Sequence, residues 1–292
     1  MFPLGNRTLD TQALRRHVET GLAPLLAATP ARLSLSLRSL DGSVVLERDA
    51  ARVQPSASII KLPILLALLE QVASGHCRLD QQLALDAGGA RVGGTGILHQ
   101  LPSVASLSLA ELARLMIVLS DNVATNALIG LLGCAEVTQW CRGAGLAGSC
   151  LQRRMMDAAA REAGLDNFTS AGDAASALGW MLREASLPAE LRAFALSLLA
   201  DQRERAHFGA ALPAQTHLAN KTGQLPGLRH DAGILTVGDY SAVLVVLADG
   251  FTDLRTADSL NGGDGAELLA RIARVVAEGL QAQAQAQAQA QE

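Results

Sequence analysis

The two lysines are the first candidates for chemistry in this chain. Of its 24 lysine and arginine residues, only Lys61 and Lys221 are lysine. An arginine stays protonated at any ordinary pH, whereas burial and neighbouring charges can tune an ammonium group. A bias towards arginine explains why lysine is scarce, but it does not explain where the two remaining lysines lie. Both are therefore candidates for a role that requires an amine.

Ser58 lies three residues before Lys61, at the start of an apolar helical pattern that continues through Leu69. Residues three apart share a helix face, so the hydroxyl and the amine can touch. A buried lysine near other cations can take a proton from the hydroxyl and make it a nucleophile. S-x-x-K alone is a weak signal, and Pro63 predicts an irregular start to this helix.

Two tripeptides add polar groups at points where elements are expected to end. Ser120-Asp121-Asn122 connects two helical runs, and its hydroxyl can relay a proton while its amide binds a substrate amide. Lys221-Thr222-Gly223 ends a predicted strand, where an ammonium and a hydroxyl can hold a carboxylate and glycine permits close approach. All three motifs together, in this order and using both lysines, exceed coincidence.

Helices in the middle of the chain and strands at its two ends must position these motifs. Apolar spacing predicts helices over Leu9–Leu26 and about Gly265–Leu280, and a helical block from about Ser56 to Asp201. The capping signals Ser108 with Glu111 and Ser170 with Asp173 lie inside that block. Strands are predicted at Arg32–Leu40, Ser43–Glu47, His217–Thr222, Ala232–Val237 and Ser241–Leu247, with turns at Asp41-Gly42, Pro226-Gly227 and Gly238-Asp239.

This order predicts a discontinuous α/β sheet domain, residues 1–54 and 205–280, with a helical domain, residues 55–204, inserted into it. The seam between two such domains is a favoured place for a ligand. Residues 281–292 form a low-complexity Ala/Gln tail that either prolongs the last helix or frays.

Composition narrows the range of partners. The chain is 49% hydrophobic with a net charge of −4, and its basic residues are scattered, so neither nucleic acid nor a membrane is an expected partner. The cysteine spacing does not resemble a zinc site, and we expect no metal and no cofactor. A monomer acting on a small molecule is the expectation. Met1–Asp10 lacks a secretory signal pattern, so we expect a cytoplasmic protein, or an exported one if a leader has been removed.

The three motifs are those of class A β-lactamases and penicillin-binding proteins, and the chain resembles this family from about Arg32 to the last helix. Their positions fit the compact class A arrangement better than most transpeptidases. The resemblance implies an α+β fold in three α/β/α layers, with an antiparallel five-stranded sheet, flanking helices and an inserted all-helical domain.

The same resemblance implies roles for individual residues. Ser58 would attack a β-lactam carbonyl, Lys61 would be the base, and Ser120 would pass a proton to the leaving nitrogen. The backbone N–H groups of Ser58 and Gln224 would form the oxyanion hole. Asn122 would bind the side-chain amide of the substrate, and Gly223 would let it approach closely. Lys221, counted with the catalytic residues, and Thr222 would hold its carboxylate, with help from Arg229. Asn126 either supports the site, as an asparagine of the family does, or is a helix-surface amide.

One departure from the family concerns the loop glutamate that activates water for hydrolysis of the acyl-enzyme. Matching Leu151 and Arg153 to the L-x-R of the family puts Met155 in its place. Nearby carboxylates are Asp157, Glu162 and Asp166, each expected to be a surface group. The chain is therefore expected to be a β-lactamase-type hydrolase with slow deacylation. The alternatives are a peptidoglycan-type D-Ala peptidase or esterase, and a sensor that remains acylated by penicillin.

Overall fold

Strands from both ends of the chain form one sheet in the computed structural model, which describes residues 2–251 and 263–289. The strands are β1 Arg32–Ser39, β2 Val44–Arg48, β3 Gln54–Pro55, β4 Gln82–Ala84, β5 Ser106–Ser108, β6 Phe168–Thr169, β7 Thr216–Leu225, β8 Leu228–Val237 and β9 Tyr240–Asp249. The helices are α1 Thr11–Ala27, α2 Lys61–Ala73, α3 Leu109–Val118, α4 Asn122–Leu132, α5 Cys134–Gly143, α6 Ala158–Glu162, α7 Ala171–Arg183, α8 Ala189–Ala200 and α9 Gly263–Gln289.

The main sheet is antiparallel throughout and has the strand order β2-β1-β9-β8-β7. Two-residue turns join its last three strands, because Leu225 pairs with Leu228 and Val237 pairs with Tyr240. All three strands are therefore longer than the sequence predicted. In particular, the expectation that Lys221-Thr222-Gly223 ends a strand is wrong. Backbone pairing carries β7 through Leu225 despite the glycine, so the tripeptide lies inside the outer strand of the sheet.

Each face of the sheet carries its own hydrophobic core. Leu244 and Val246 of β9 belong to the core shared with α1 and α9, while Val243 and Val245 belong to the core shared with α2, α7 and α8. A strand that is buried on both faces reads as a continuous apolar run. The α+β class, the three layers and the five-stranded antiparallel sheet predicted from the sequence are confirmed. The residue ranges of the two domains remain a prediction.

Helix α2 runs through the core and presents Ser58 at its start. A 3-10 turn, Ala57–Ile60, precedes Lys61, the first residue of the α-helix. The irregular start expected from Pro63 is present. Because Pro63 is the third residue of α2, its missing N–H is one that the first helical turn leaves unbonded anyway. Leu62 to Leu69 are all buried, which fixes the helix and hence the position of Ser58.

The α3–α4 connection presents the second motif. The predicted capping box at the start of α3 is present, since Glu111 N donates to Ser108 Oγ at 3.2 Å and Ser108 N donates to Glu111 Oε2 at 2.7 Å. Three residues separate α3 from α4, and Ser120 among them has a φ of 55°. The expected tight connection is therefore confirmed.

Helix α9 extends beyond the predicted end at Leu280 and includes most of the Ala/Gln segment. Alanine and glutamine are good helix formers, so composition alone permits this continuation. The Gln283 side chain also bonds the backbone of Asp10 at the start of α1, accepting from its N–H at 3.1 Å and donating to its carbonyl at 2.9 Å. Among the described residues, no helix is long and apolar enough to cross a membrane.

Candidate active site

A cleft of about 730 Å³ opens beside the start of α2. Its walls are the α3–α4 connection, the segment that precedes α6, the residues after α8 and the outer strand β7. Five of the predicted site residues line it: Ser58, Ser120, Asn122, Thr222 and Gln224. Lys61 and Lys221 are fully buried in the structure, with none of their surface exposed. Gly223 lies next to Thr222 and packs against the 3-10 turn that carries Ser58.

A hydrogen-bond network connects Ser58 to Lys61. Lys61 Nζ lies 2.6 Å from the carbonyl oxygen of Ser120, 3.0 Å from its Oγ and 3.1 Å from Asn122 Oδ1. Ser120 Oγ in turn donates to Ser58 Oγ at 3.0 Å. The expected direct contact between hydroxyl and amine is replaced, within the described structure, by a link through Ser120. The 3-10 turn between Ser58 and Lys61 leaves room for that link.

The electrostatic environment keeps Lys61 ready to accept a proton. Burial, and secondarily the positive charge of Lys221, lower the pKa of Lys61 well below its ordinary value of 10.5, although Asp121 acts in the opposite direction. Desolvation disfavours the charged form of an amine. A neutral Lys61 amine can then take the Ser58 proton through the Ser120 hydroxyl.

Lys221 and Thr222 lie on β7, beside the cleft. Lys221 Nζ donates to the carbonyl oxygen of Thr222 at 2.8 Å. Burial lowers the pKa of Lys221 to about 7, and the carboxylates of Asp231 and Glu204 limit this shift. The Thr222 side chain lines the cleft, with Lys221 beneath it. A carboxylate bound at Thr222 would therefore face a cation whose charge is sensitive to pH near neutrality.

The edge of β7 offers a backbone donor opposite Ser58. The pair Leu225–Leu228 closes a two-residue hairpin, so the neighbouring pair Gln224–Arg229 is one that does not exchange hydrogen bonds. The N–H of Gln224 then points away from β8, towards the open edge and the cleft. This orientation suits the oxyanion hole that the sequence predicted from Ser58 and Gln224.

Arg229 lies apart from the other predicted binding residues. It is buried, it does not line the cleft, and its Nη1 donates to the carbonyl oxygens of Leu225 at 2.9 Å and Leu228 at 2.8 Å. Its position in β8 turns the side chain to the turn between β7 and β8. Of the residues expected to hold a carboxylate, Thr222 therefore lines the cleft, and Arg229 does not.

Backbone strain is concentrated around the cleft. Within residues 2–251 and 263–289, five residues other than glycine have positive φ, and three of them line the cleft: Ala57 at 45°, Ser120 at 55° and Met156 at 59°. Left-handed backbone costs a residue with a side chain on the order of 1–3 kcal/mol, and it persists where the surrounding structure enforces it. At Ala57, which precedes Ser58, and at Ser120 this conformation aims the hydroxyl groups of Ser58 and Ser120 at each other.

Asp121 is a site residue whose role the sequence analysis missed. Its buried carboxylate accepts from Ala124 N at 2.9 Å, which caps α4, and from Ile97 N at 2.7 Å and Leu98 N at 2.9 Å. An acidic residue just before a helical run is a recognisable capping signal. Its contacts with the loop before Leu98 are not visible in the sequence, because they join segments more than twenty residues apart.

That loop closes over the second motif. Asn122 N donates to the carbonyl of Thr95 at 3.1 Å, and Thr95 Oγ1 donates to the carbonyl of Ser120 at 2.7 Å. Asn122 Nδ2 also donates to the carbonyl of Gly93 at 3.1 Å. The amide that was expected to bind substrate is therefore already held on one side by Lys61 and on the other by this loop.

The segment before α6 is fastened at Met155. Asn126 on α4 accepts from Met155 N at 2.7 Å and donates to the Met155 carbonyl at 3.1 Å, and only 4% of its surface is exposed. Of the two interpretations of Asn126, a surface amide is therefore wrong. The Met155 side chain lines the cleft and is 8% exposed. A residue without a proton-accepting group thus occupies a rigidly held position in the cleft wall.

The three nearby carboxylates have other contacts. Asp157 caps α6 by accepting from Ala160 N at 3.0 Å, and Asp166 forms an ion pair with Arg153 at 2.7 Å. Glu162 is exposed and does not line the cleft. Asp157 and Asp166 do line it, so they remain the two candidates for a substitute base.

The fold and the serine–lysine–serine network together define a serine hydrolase. A sequence model of the β-lactamase enzyme family matches residues 17–280, and the protein belongs to that family. No curated protein sequence matches the chain.

Solved structures of the same fold cover nearly the whole chain. PBP-A is 25% identical, with 97% of this chain and 100% of that chain covered and a TM-score of 0.77. A leucine-to-glutamate variant of PBP-A, solved as the acyl-enzyme complex with penicillin G, has the same identity and TM-score, with 92% and 96% covered. The β-lactamase from Sphaerobacter thermophilus DSM 20745, at 24% identity, a TM-score of 0.77 and coverage of 91% and 98%, supports the fold alone.

Replacing Asp121 tests the support of the site. Asp121→Ala would leave the N–H groups of Ile97, Leu98 and Ala124 without their acceptor, and each such buried donor costs about 1–3 kcal/mol. We expect the free energy of unfolding in urea to fall by about 3 kcal/mol or more. The control is Asp10→Ala, which removes an exposed cap from α1 and should cost about 1 kcal/mol. Equal losses in the two variants would contradict the role given to Asp121.

Proposed function

We propose that the protein is a penicillin-recognising serine hydrolase that opens β-lactam amide bonds through an acyl-enzyme on Ser58. The observation that carries this proposal is the chain of hydrogen bonds from Lys61 through Ser120 to Ser58, at the base of a cleft in a β-lactamase fold. The PBP-A variant solved with penicillin G as an acyl-enzyme adds support, since it shares this fold.

Acylation follows from the positions of the groups. Ser58 Oγ bonds to the carbonyl carbon, and its proton passes through Ser120 Oγ to the Lys61 amine. The N–H groups of Ser58 and Gln224 stabilise the negative charge that forms on the carbonyl oxygen. When the C–N bond breaks, Ser120 gives a proton to the leaving nitrogen and regains one from Lys61.

The substrate is held on both sides of the reacting bond. Thr222 and Lys221 bind the carboxylate of the nitrogen-bearing part, and Asn122 binds the amide of the acyl side chain. A strained amide suits this site, because a single pre-positioned relay suffices for its opening. An acyl-D-alanine peptide or an ester would react by the same steps and is the alternative substrate class.

Deacylation is the step for which the cleft is poorly equipped. Hydrolysis of the Ser58 ester requires a base within hydrogen-bond reach of the attacking water. Met155 occupies the expected place of that base, and a thioether cannot accept the proton. A protein that stops at this stage would behave as a sensor or binding protein, so the rate of release decides between hydrolase and sensor.

Substitutions at Ser58 and Lys61 test the acylation step. Ser58→Ala should abolish covalent labelling by a fluorescent penicillin while the thermal unfolding temperature stays within a few degrees of wild type, since only a hydroxyl is removed. Lys61→Arg should be nearly as damaging, because a guanidinium does not release a proton at working pH. Labelling that persists in Ser58→Ala would exclude Ser58 as the nucleophile, and wild-type labelling rates in Lys61→Arg would exclude Lys61 as the base.

The pH dependence of acylation follows from the two lysines. As the pH falls, Lys61 becomes protonated and can no longer accept the Ser58 proton, so the second-order rate constant should decrease. As the pH rises through about 7, Lys221 loses its charge and its attraction for the substrate carboxylate, which should decrease the constant again. In Lys221→Arg the positive charge persists, so the alkaline decrease should move to higher pH. An alkaline limb that is identical in both proteins would assign it to another group.

Intact-protein mass spectrometry over time, after mixing with a penicillin, measures formation and release of the acyl-enzyme together. We expect a burst of acylation followed by slow release, because general base catalysis is worth about 10²–10⁴-fold. Met155→Glu should accelerate release, since the Asn126 contacts already hold that position against the cleft. Met155→Gln has the same shape without a base and should leave release slow.

Fast deacylation would require one of the nearby carboxylates to act as the base. Fast steady-state turnover by the wild-type protein without a burst would contradict slow deacylation. Loss of that turnover in Asp157→Asn or Asp166→Asn would then identify the base, and Glu162→Gln, outside the cleft, is the control that should leave it unchanged.

A further inference from the structure

Most arginines of this protein bond a carboxylate or a backbone carbonyl. Across the described residues, those whose guanidinium groups have no such partner are Arg16, Arg48, Arg142, Arg161 and Arg203. Two of these five, Arg161 and Arg203, line the cleft that contains Ser58. Because most of the described guanidinium groups have a partner, two without one in a single cleft indicate a ligand with negative charge.

The carboxylates that line the cleft already have partners close to them in the sequence. Asp166 pairs with Arg153 at 2.7 Å, and Asp157 accepts from the N–H of Ala160 at 3.0 Å. Glu204 accepts from the N–H of Ala206 at 2.8 Å. The guanidinium donors of Arg161 and Arg203 therefore remain open to a ligand, and a guanidinium binds a carboxylate with two parallel hydrogen bonds.

Arg203 belongs to the wall on the Thr222 side of the cleft. Its backbone N–H donates to the carbonyl of Val118 at 3.1 Å, just before Ser120. Its neighbour Glu204 acts on the pKa of Lys221, so this segment lies near the second lysine. Arg203 thus extends the site already proposed for the carboxylate next to the leaving nitrogen.

Arg161 belongs to the opposite wall. It lies on α6, directly after the segment that carries Met155 and Met156. Met156 and Asn122 both border Gly94, since a methyl group added to that glycine would lie 3.3 Å from Met156 Sδ and 2.8 Å from Asn122 Nδ2. This wall therefore faces the acyl side chain of a substrate, whose amide Asn122 is proposed to bind.

We propose that the cleft selects acyl compounds with an anionic group on each side of the reacting amide. One carboxylate, next to the leaving nitrogen, lies at Thr222, Lys221 and Arg203. The second ends the acyl side chain and is bound by Arg161. The inference rests on the proposed function, because it assumes that Ser58 attacks the amide that lies between the two carboxylates. A cleft of about 730 Å³ accommodates a bicyclic β-lactam with an extended side chain.

Two penicillins of matched length provide the test, one whose acyl side chain ends in a free carboxylate (an adipoyl chain) and one in which that carboxylate is a methyl ester. The second-order rate constant of acylation is measured for each. Wild type should react about fivefold faster with the free acid, an effect expected of a solvent-accessible charged hydrogen bond. Arg161→Gln should remove the preference, and Arg161→Lys should restore part of it.

Arg203→Gln separates the two sites. Both penicillins carry the carboxylate next to the nitrogen, so this variant should slow both reactions by a similar factor and keep the preference for the free acid. Arg48→Gln and Arg142→Gln are matched controls, since both residues are exposed, lack a side-chain partner among the described residues and lie outside the cleft. Neither should change either rate. Raising the salt concentration from about 0.05 to 0.5 M should reduce the preference in wild type.

The outcomes distinguish the inference from the proposed function. Equal acylation of wild type by the two penicillins, or a preference that survives in Arg161→Gln, would overturn the second anionic site and leave the serine hydrolase intact. A preference lost equally in Arg142→Gln would show an effect of overall charge and would also overturn it. No acylation of Ser58 by either compound would overturn both proposals.

Discussion

The buried amine of Lys61 is the interaction on which the site depends. All of its described hydrogen-bond partners lie on Ser120 and Asn122, so one side chain joins the central helix α2 to the α3–α4 connection. An amine without exposed surface is costly to charge, so burial favours the neutral form of Lys61, the form that can accept a proton. The surrounding structure must therefore place three polar acceptors around Nζ and exclude water. Asp121 meets that requirement by fixing the loop before Leu98 to the start of α4.

Rigid elements on both sides enforce the strained backbone of the cleft. Ala57 and Ser120 are held left-handed between elements that are themselves well anchored: α2 is buried along its apolar length, and α3 and α4 are capped by side chains. Two left-handed residues cost a few kcal/mol together, a substantial fraction of the stability of a typical domain. The strained conformation of these two residues lowers stability, and it holds the hydroxyl groups of Ser58 and Ser120 3.0 Å apart before any substrate binds.

The sequence correctly predicted the features that depend on residue type and local spacing. The three motifs, the capping box at Ser108 and the turns at Pro226-Gly227 and Gly238-Asp239 follow from short-range signals, and the structure contains them. The five-stranded antiparallel sheet, which the family resemblance implied, is present as well. Prediction from the sequence failed where contacts between segments that are distant in the sequence determine the structure. The end of β7 was set by pairing across the hairpin rather than by Gly223, the link between Ser58 and Lys61 runs through Ser120, and Asn126 acts through the backbone of Met155. Arg229 donates to two carbonyls at the ends of the β7–β8 turn, and its help with the substrate carboxylate stays a prediction.

The contacts that hold the backbone at position 155 do not depend on the side chain at that position. Asn126 fixes the backbone of Met155 by bonds to its N–H and its carbonyl, neither of which depends on the side chain at that position. The Arg153–Asp166 ion pair likewise closes the segment without involving residue 155. The loop can therefore keep its conformation with any side chain of suitable size. In the proposed mechanism, acylation would use Lys61 and Ser120 on other elements. Exchange of one side chain at position 155 would then change the lifetime of the acyl-enzyme without altering the groups that form it.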